Sequence, residues 1–459
     1  HRYATHTPPP MRRRARRPPQ PGAWAAWLAA LLLFPLASRA LIIEIESRLD
    51  DPALGSAYVL AENDRFGAAS AGLGYVNADL IPDLAVGAPG DDTGGAGRGA
   101  VYILFLAADL AVSAVHKVSS LSGDFEGTGI SLTDDEFFGC AVAGLGDVDD
   151  DGTPDLLVGA WGYDGKVGAA YVLFLDGETA HVSSARRIAN GQGGLGSPLS
   201  EDDSFGFSAA GIGDLDADGV VDAAVGAVGD SNARGAVYLL FLDTLGSANA
   251  TAVISSATVP GLGLSPGDQF GSAVAAPGDL DGDGVPDLAV GAATDATGGA
   301  DTGAVYVLLM SRAGTVRYHT KLDAAPGGLL AGHVLEGDQL GAALAGPGDV
   351  DGDGVPDLLV GAPSSDDGGQ SRGKALLVRL AANGSAADVL LTVADGFAGF
   401  AGPLANADRL GSSCAALGDV SGDGVPDIAL GAPGHSDARG AVYALRLSPP
   451  SPPLPPPNP

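Results

Sequence analysis

The chain has 459 residues and only two cysteines, Cys140 and Cys414. They stand far apart, so a disulfide framework is excluded as the main source of stability. Aromatic residues make up 6%, and a core must therefore be built from Ala, Val and Leu. Positive charge is scarce: 24 Lys and Arg stand against 56 Asp and Glu, a formal net charge of −32. Nucleic acid is not an expected partner, because phosphate binding needs a basic face. Beyond one N-terminal stretch, no apolar run approaches the length of a membrane span.

Glycine is plentiful (71) and so is proline (31), and neither suits long helices. Apolar residues reach 46%, enough for a sizeable core and too many for global disorder. Residues 1–10 precede Met11 and read as extra translated sequence. From Met11 come "MRRRARRPPQPG", the apolar "AWAAWLAALLLFPLA" and the small residues of "SRA". This order predicts a secretory signal cleaved near Ala40–Leu41, with a membrane anchor as the alternative. Its removal takes away seven Arg and no acid, which moves the net charge from −32 to −39. The closing "SPPSPPLPPPNP" is too rich in Pro to pack and predicts a polyproline stalk or linker.

Between these ends the chain repeats itself six times. A Gly that opens "VGA" or "LGA" falls at Gly87, Gly159, Gly226, Gly291, Gly361 and Gly431. About twenty residues before each lies a second marker: Phe66-Gly67, Phe138-Gly139, Phe205-Gly206, Phe270-Gly271, Leu340-Gly341 and Leu410-Gly411. A third marker comes after, as in "GAVYILFL" and "GAVYVLLM". Each unit reads as four short strands joined by Gly/Asp turns. One such sheet cannot bury both faces, so the units must pack face to face, and an all-β propeller does this. An open β-solenoid is the alternative. The last unit has three strands only, and "LIIEIESRL" (residues 41–49) is expected to supply the fourth and lock the ring. "GSAYVL" (residues 55–60) leaves a seventh, incomplete blade open. The expected division is 1–40, leader; 41–448, propeller, with repeats near 66–118, 138–188, 205–259, 270–322, 340–393 and 410–447; 449–459, tail.

Between the first two markers lies D-x-D-x-D-G-x-x-D. Carboxylates about 4 Å apart repel by roughly 4 kcal/mol per pair at an effective dielectric near 20. A divalent cation turns that cost into binding, and an all-oxygen, flexible set favours Ca2+. The complete sets are Asp147, Asp149, Asp151 and Asp155; Asp214, Asp216, Asp218 and Asp222; Asp279, Asp281, Asp283 and Asp287; and Asp349, Asp351, Asp353 and Asp357. The carbonyls of Thr153, Val220, Val285 and Val355 would each add a ligand. The sixth set is weaker: Asp419, Ser421, Asp423 and Asp427, with Val425. The first unit has Tyr75, Asn77, Asp79 and Asp83, with Leu80 in place of the Gly, and is expected to stay metal-free. Four to five ions are expected in all. The loop is not an EF-hand, since Val158 stands where that motif needs its twelfth-position Glu. The competing reading is a set of Asx-turns, with Asp side chains capping backbone amides.

These markers resemble the FG-GAP repeats of integrin alpha subunits over about residues 60–447. Phe66-Gly67 with Gly87-Ala88-Pro89 matches in full; elsewhere the Pro is replaced by Trp161, Val228 and Ala293, and Phe by Leu340 and Leu410. The resemblance implies a propeller head with calcium in loops on its lower face and extracellular ligands on the opposite face. Integrin heads have seven blades and six are clear here. The 67-residue step between units two and three leaves no room for an inserted ligand-binding domain.

Other motifs weigh less. "GGQSRGKA" nearly matches a phosphate loop, but Ala375 lacks the hydroxyl that would hold magnesium. The seven His are scattered, and no HExxH pair occurs among them. Cys140 and Cys414 fall in small-residue strands and read as core fillers. Trp161 reads as packing, with a surface contact as the alternative. Asn249 and Asn383 open glycosylation sequons expected on outer hairpins. The expectation is a non-enzymatic, secreted or surface-attached, calcium-binding propeller that engages a matrix, cell-wall or other extracellular protein ligand. An extracellular phospholipase-like hydrolase and a structural coat protein are the alternatives.

Overall fold

A computed structural model describes residues 41–448, apart from 56, 57, 78, 123, 126, 178 and 398. The expected leader and Pro-rich tail lie outside the described residues. Six four-stranded antiparallel sheets account for every strand among them. Blade one is Ala69–Gly74, Asp83–Ala88, Ala100–Leu106 and Val112–Ser119. Blade two is Ala141–Gly146, Asp155–Ala160, Ala169–Leu175 and Val182–Ala189. Blade three is Phe205–Gly213, Asp222–Ala227, Ala236–Leu242 and Ala248–Ile254. Blade four is Phe270–Gly278, Asp287–Ala292, Ala304–Met310 and Val316–Asp323. Blade five is Ala343–Gly348, Asp357–Ala362, Lys374–Leu380 and Ala386–Ala394. Blade six joins Ser413–Gly418, Asp427–Ala432 and Ala441–Ser448 to the N-terminal strand Ile42–Leu49.

The first strand of each blade touches the first strands on either side, and blade six meets blade one. The ring is thus a six-bladed propeller. The expected lock is present: Ile42 pairs with Ser448 and Leu49 with Val442. In the stretch expected as a stray strand, Gly55 and residues 58–60 carry no strand pairing, and 56 and 57 lie outside the described residues. Six blades close the circle and leave no gap for a seventh.

Each second strand is buried at every residue, as in Asp155–Ala160. Its two faces pack against two different blades, so the apolar run is continuous rather than alternating. Six core clusters lie between adjacent blades, such as Leu156, Val158 and Tyr171 packed with Val101 and Ile103. The markers have a steric cause. A Cβ on Gly291 would lie 1.9 Å from the carbonyl oxygen of Gly341 in the next blade. The same approach recurs round the ring and closes with Gly431 against Gly67, at 2.0 Å. The Phe of the first marker is fully buried and meets the Tyr of the third strand edge-on, with Phe270 and Tyr306 centroids 5.5 Å apart. Gly291→Ala therefore forces two blades apart and is expected to cost about 3 kcal/mol or more, read as a fall in the denaturation midpoint.

Candidate functional site

The acidic loop joins the first and second strands of each blade, and its last Asp is the first residue of the second strand. That position is an internal clasp. Asp155 accepts the amides of Val148 (2.9 Å) and Leu175 (3.2 Å) on its two oxygens, tying the loop to the third strand. Asp222 does the same with Leu215 and Leu242, Asp287 with Leu280 and Met310, and Asp427 with Val420 and Leu447. Asp357 holds Val350, at 3.0 Å, and its other oxygen has no partner among the described residues. Asp83 of blade one makes both bonds too, to Val76 and Leu106. The fourth acid therefore organises the fold even in blade one, where Tyr75 and Asn77 replace the first two acids. Burial pushes these carboxyls up against the pull of the amides, to about 6 for Asp83, Asp222, Asp287 and Asp427 and about 7 for Asp155 and Asp357.

The leading Asp folds the loop over itself. Asp147 accepts the amides of Asp151 and Gly152, at 3.0 and 2.8 Å. Asp214, Asp279, Asp349 and Asp419 accept the matching amides. The third acid caps the amide two residues on: Asp151 that of Thr153, Asp218 that of Val220, Asp283 that of Val285, Asp353 that of Val355 and Asp423 that of Val425. The Asx-turn reading thus describes bonds that are present. It does not exhaust the carboxylates, since each oxygen has two acceptor directions. The Gly after the third acid sits in the left-handed region, with φ of +92° at Gly152 and +91° at Gly354. Leu80 adopts φ 63° at the same place in blade one, so the turn survives there although the first two acids are replaced by Tyr75 and Asn77.

Three acids of each complete set bring an oxygen within 4.8 Å of one another: Asp147, Asp149 and Asp155; Asp214, Asp216 and Asp218; Asp279, Asp281 and Asp287; Asp349, Asp351 and Asp353. This oxygen-only donor set, carried on a turn of small residues, fits a hard divalent cation. Burial and the neighbouring carboxylates raise Asp149 and Asp351. Asp419 is lowered instead, because burial is outweighed by the Gly424 and Gly422 amides.

Among the described residues, two cations that the sequence motifs do not reveal reach the carboxylates of these loops. The Arg317 guanidinium, from the outer strand of blade four, lies 2.7 Å from Asp281 and 2.6 Å from Asp283. Arg379, on the third strand of blade five, lies 3.1 Å from Asp351. Each fixed cation competes with a mobile one. Arg317→Gln is expected to tighten calcium at blade four by roughly 2- to 5-fold, measured by titration calorimetry against the unchanged chain. Spacing hides both residues, since they come from other strands; only the strand register places them.

A second ring of acids lies at the other end of the blades, two residues before each Phe-Gly or Leu-Gly. Asp64, Glu136, Asp203, Asp268, Asp338 and Asp408 are all buried. Each caps the amide three residues earlier, as Asp64 caps Ala61 at 2.7 Å and Asp408 caps Ala405 at 2.8 Å. The register D/E-x-F/L-G is the sequence signal for this ring, and the reading of the loops alone misses it. Burial, with the charge of Asp91 nearby, raises Asp64 to about 6. A carboxyl raised in the folded state binds its proton there more tightly than in the unfolded chain. Its contribution is fully present below about pH 4 and is lost as pH rises through 6. Asp64→Asn should remove about 2 kcal/mol of that decline, seen as a flatter plot of Tm against pH from 4 to 8.

The other candidates resolve into packing. Lys374, the lysine of the near phosphate loop, begins a third strand as expected and is spent on Asp338 and Asp367, each at 2.9 Å. Cys140 and Cys414 line the central channel beside Ser70, Ser208 and Ser413. Burial pushes both thiols up, Cys140 to about 12, which suits fillers rather than nucleophiles. Trp161 stacks on Phe137 at 4.7 Å. Asn383 lies exposed in a hairpin, whereas Asn249 is the second residue of an outer strand. No helix among the described residues is long and apolar enough to cross a membrane.

The FG-GAP repeat family matches residues 270–308, 341–378 and 411–445, the first three strands of blades four, five and six. Integrin alpha-PS5 of Drosophila melanogaster is 32% identical over 184 residues, which is 40% of this chain and 16% of that protein. Integrin alpha-5 of Xenopus laevis is 30% identical over 243 residues, 50% of this chain and 20% of that protein. Phosphatidylinositol-glycan-specific phospholipase D of Bos taurus is 36% identical over 166 residues, 35% of this chain and 19% of that protein. The matched segments are a fifth or less of each relative. Three blades of the six-bladed ring thus match the FG-GAP repeat, and the chain is similar to integrin alpha subunits over part of its length.

Proposed function

We propose that this propeller is a calcium-rigidified binding head that engages an extracellular protein, matrix or cell-wall component, in adhesion. The observation that carries it is the convergence of three carboxylates in each of four successive blades, all at one end of the ring. Asp147, Asp214, Asp279 and Asp349 lead the four sets, with their partners named above. Asp419, Ser421, Asp423 and Asp427 form a weaker fifth, and the carbonyls at Thr153, Val220, Val285, Val355 and Val425 add ligands. Calcium there would supply charge neutralisation, and the loops would hold the blade ends rigid. The far end, with its loops free of these sets, is the binding face. Similarity to integrin alpha subunits supports the extracellular setting, and the basic-then-apolar segment after Met11 supports secretion. Capture of surface or matrix components by the immobilised chain, with calcium and then with chelator, tests the reading. Enrichment of none in either condition rejects it.

The similarity to a phospholipase D favours a second reading, a propeller serving a hydrolase. Hydrolysis of phospholipid or glycan-lipid substrates by the purified chain would establish it, and the first reading would then fall.

A further inference from the structure

Outside the aspartate loops, three chemistry-bearing residues meet where blades one and two adjoin. His116 lies on the outer strand of blade one. His181 immediately precedes the outer strand of blade two, and Asp124 lies on the connection between the blades. His116 Nε2 is 3.0 Å from Asp124 Oδ1, and His181 Nδ1 is 3.1 Å from the same oxygen. The imidazole centroids are 4.2 Å apart. We infer that His116, Asp124 and His181 form a binding site for a transition-metal ion of the zinc class, separate from the calcium loops.

Three features support this. First, the spacing suits one ion: ligands about 2.0–2.1 Å from a tetrahedral zinc stand about 3.3 Å from one another, close to the two distances seen. Second, the Asp124 side chain is fully buried. Its Oδ1 takes both imidazoles and the Val182 amide at 3.1 Å, while Oδ2 has no partner among the described residues. A buried carboxylate with one bare oxygen is costly unless a positive charge neutralises it. Imidazole carries such a charge only when protonated, whereas a divalent ion always does. Third, two imidazoles beside one carboxylate select zinc, cobalt, nickel or copper over calcium. The His181 side chain is 55% exposed, so an ion has a way in and a fourth ligand position can face water. A bound ion would tie the outer edges of two blades together.

The test uses the full, untagged chain with calcium in excess, so that the aspartate loops are filled. Titration with Co2+ is expected to give visible d–d bands at one equivalent, which Zn2+ then bleaches by displacement. His181→Gln, at a half-exposed position that should not disturb folding, is expected to weaken binding by roughly tenfold or more. His116→Gln should do the same, with circular dichroism as the check on its fold. Absence of saturable Co2+ binding below the millimolar range overturns the inference. So does binding by His181→Gln as tight as that of the parent chain, because the ion must then sit elsewhere.

Discussion

Chelation of calcium is expected to lower the melting temperature by on the order of 10 °C. A loop kept at a hundred times its dissociation constant contributes about 2.7 kcal/mol, and four such loops on the order of 10 kcal/mol. The sign comes from the loops themselves. Without an ion, Asp349, Asp351 and Asp353 bring three carboxylates together, and only Arg379 stands beside them as a fixed cation. With an ion, repulsion becomes attraction at each blade end. Calorimetric unfolding with calcium and with chelator measures the shift, and titration counts four to five ions. An unchanged melting temperature with a count near zero rejects metal binding at these loops.

Lys374→Ala is expected to cost about 3–5 kcal/mol. The Lys374 side chain is 2% exposed and the Asp338 side chain 4%. Removing the ammonium leaves a buried carboxylate without its cation, and Asp367 loses the same partner. The pairing carries its own control. Lys374→Met combined with Asp338→Asn removes both charges and keeps much of the volume, so it should recover a large part of the loss. Denaturant midpoints for the single and double variants decide the matter. A single variant within about 0.5 kcal/mol of the parent would mean that the ion pair is not what holds this corner.

Much of the ring is legible in the sequence because its repeats are rigid in spacing. Gly291 and Gly271 lie against the backbone of a neighbouring blade, so no side chain fits there, while the Phe270 place is a buried apolar one that Leu340 and Leu410 fill in blades five and six. The lock by residues 41–49 can be read from a missing strand. The count of six blades cannot, since residues 55–60 imitate a third strand and only ring closure excludes it. The acids of the loops are visible, but their double work is not. Asp155 reads as a ligand in the sequence, and the structure shows it fastening the loop to the third strand through two amides. Arg317 and Arg379 are out of reach for a different reason. Their approach depends on strand pairing, which sequence spacing does not encode. The His116–Asp124–His181 cluster is hidden likewise, because scattered histidines meet only when two blades are laid side by side.

The pairing of Ile42 with Ser448 also has a mechanical consequence. The two ends of the propeller leave from the same end of one antiparallel ladder. A force pulling them apart would load its hydrogen bonds one after another, as a zipper is opened, rather than all together in shear. Tension applied between residues 42 and 448 would breach the ring at that seam.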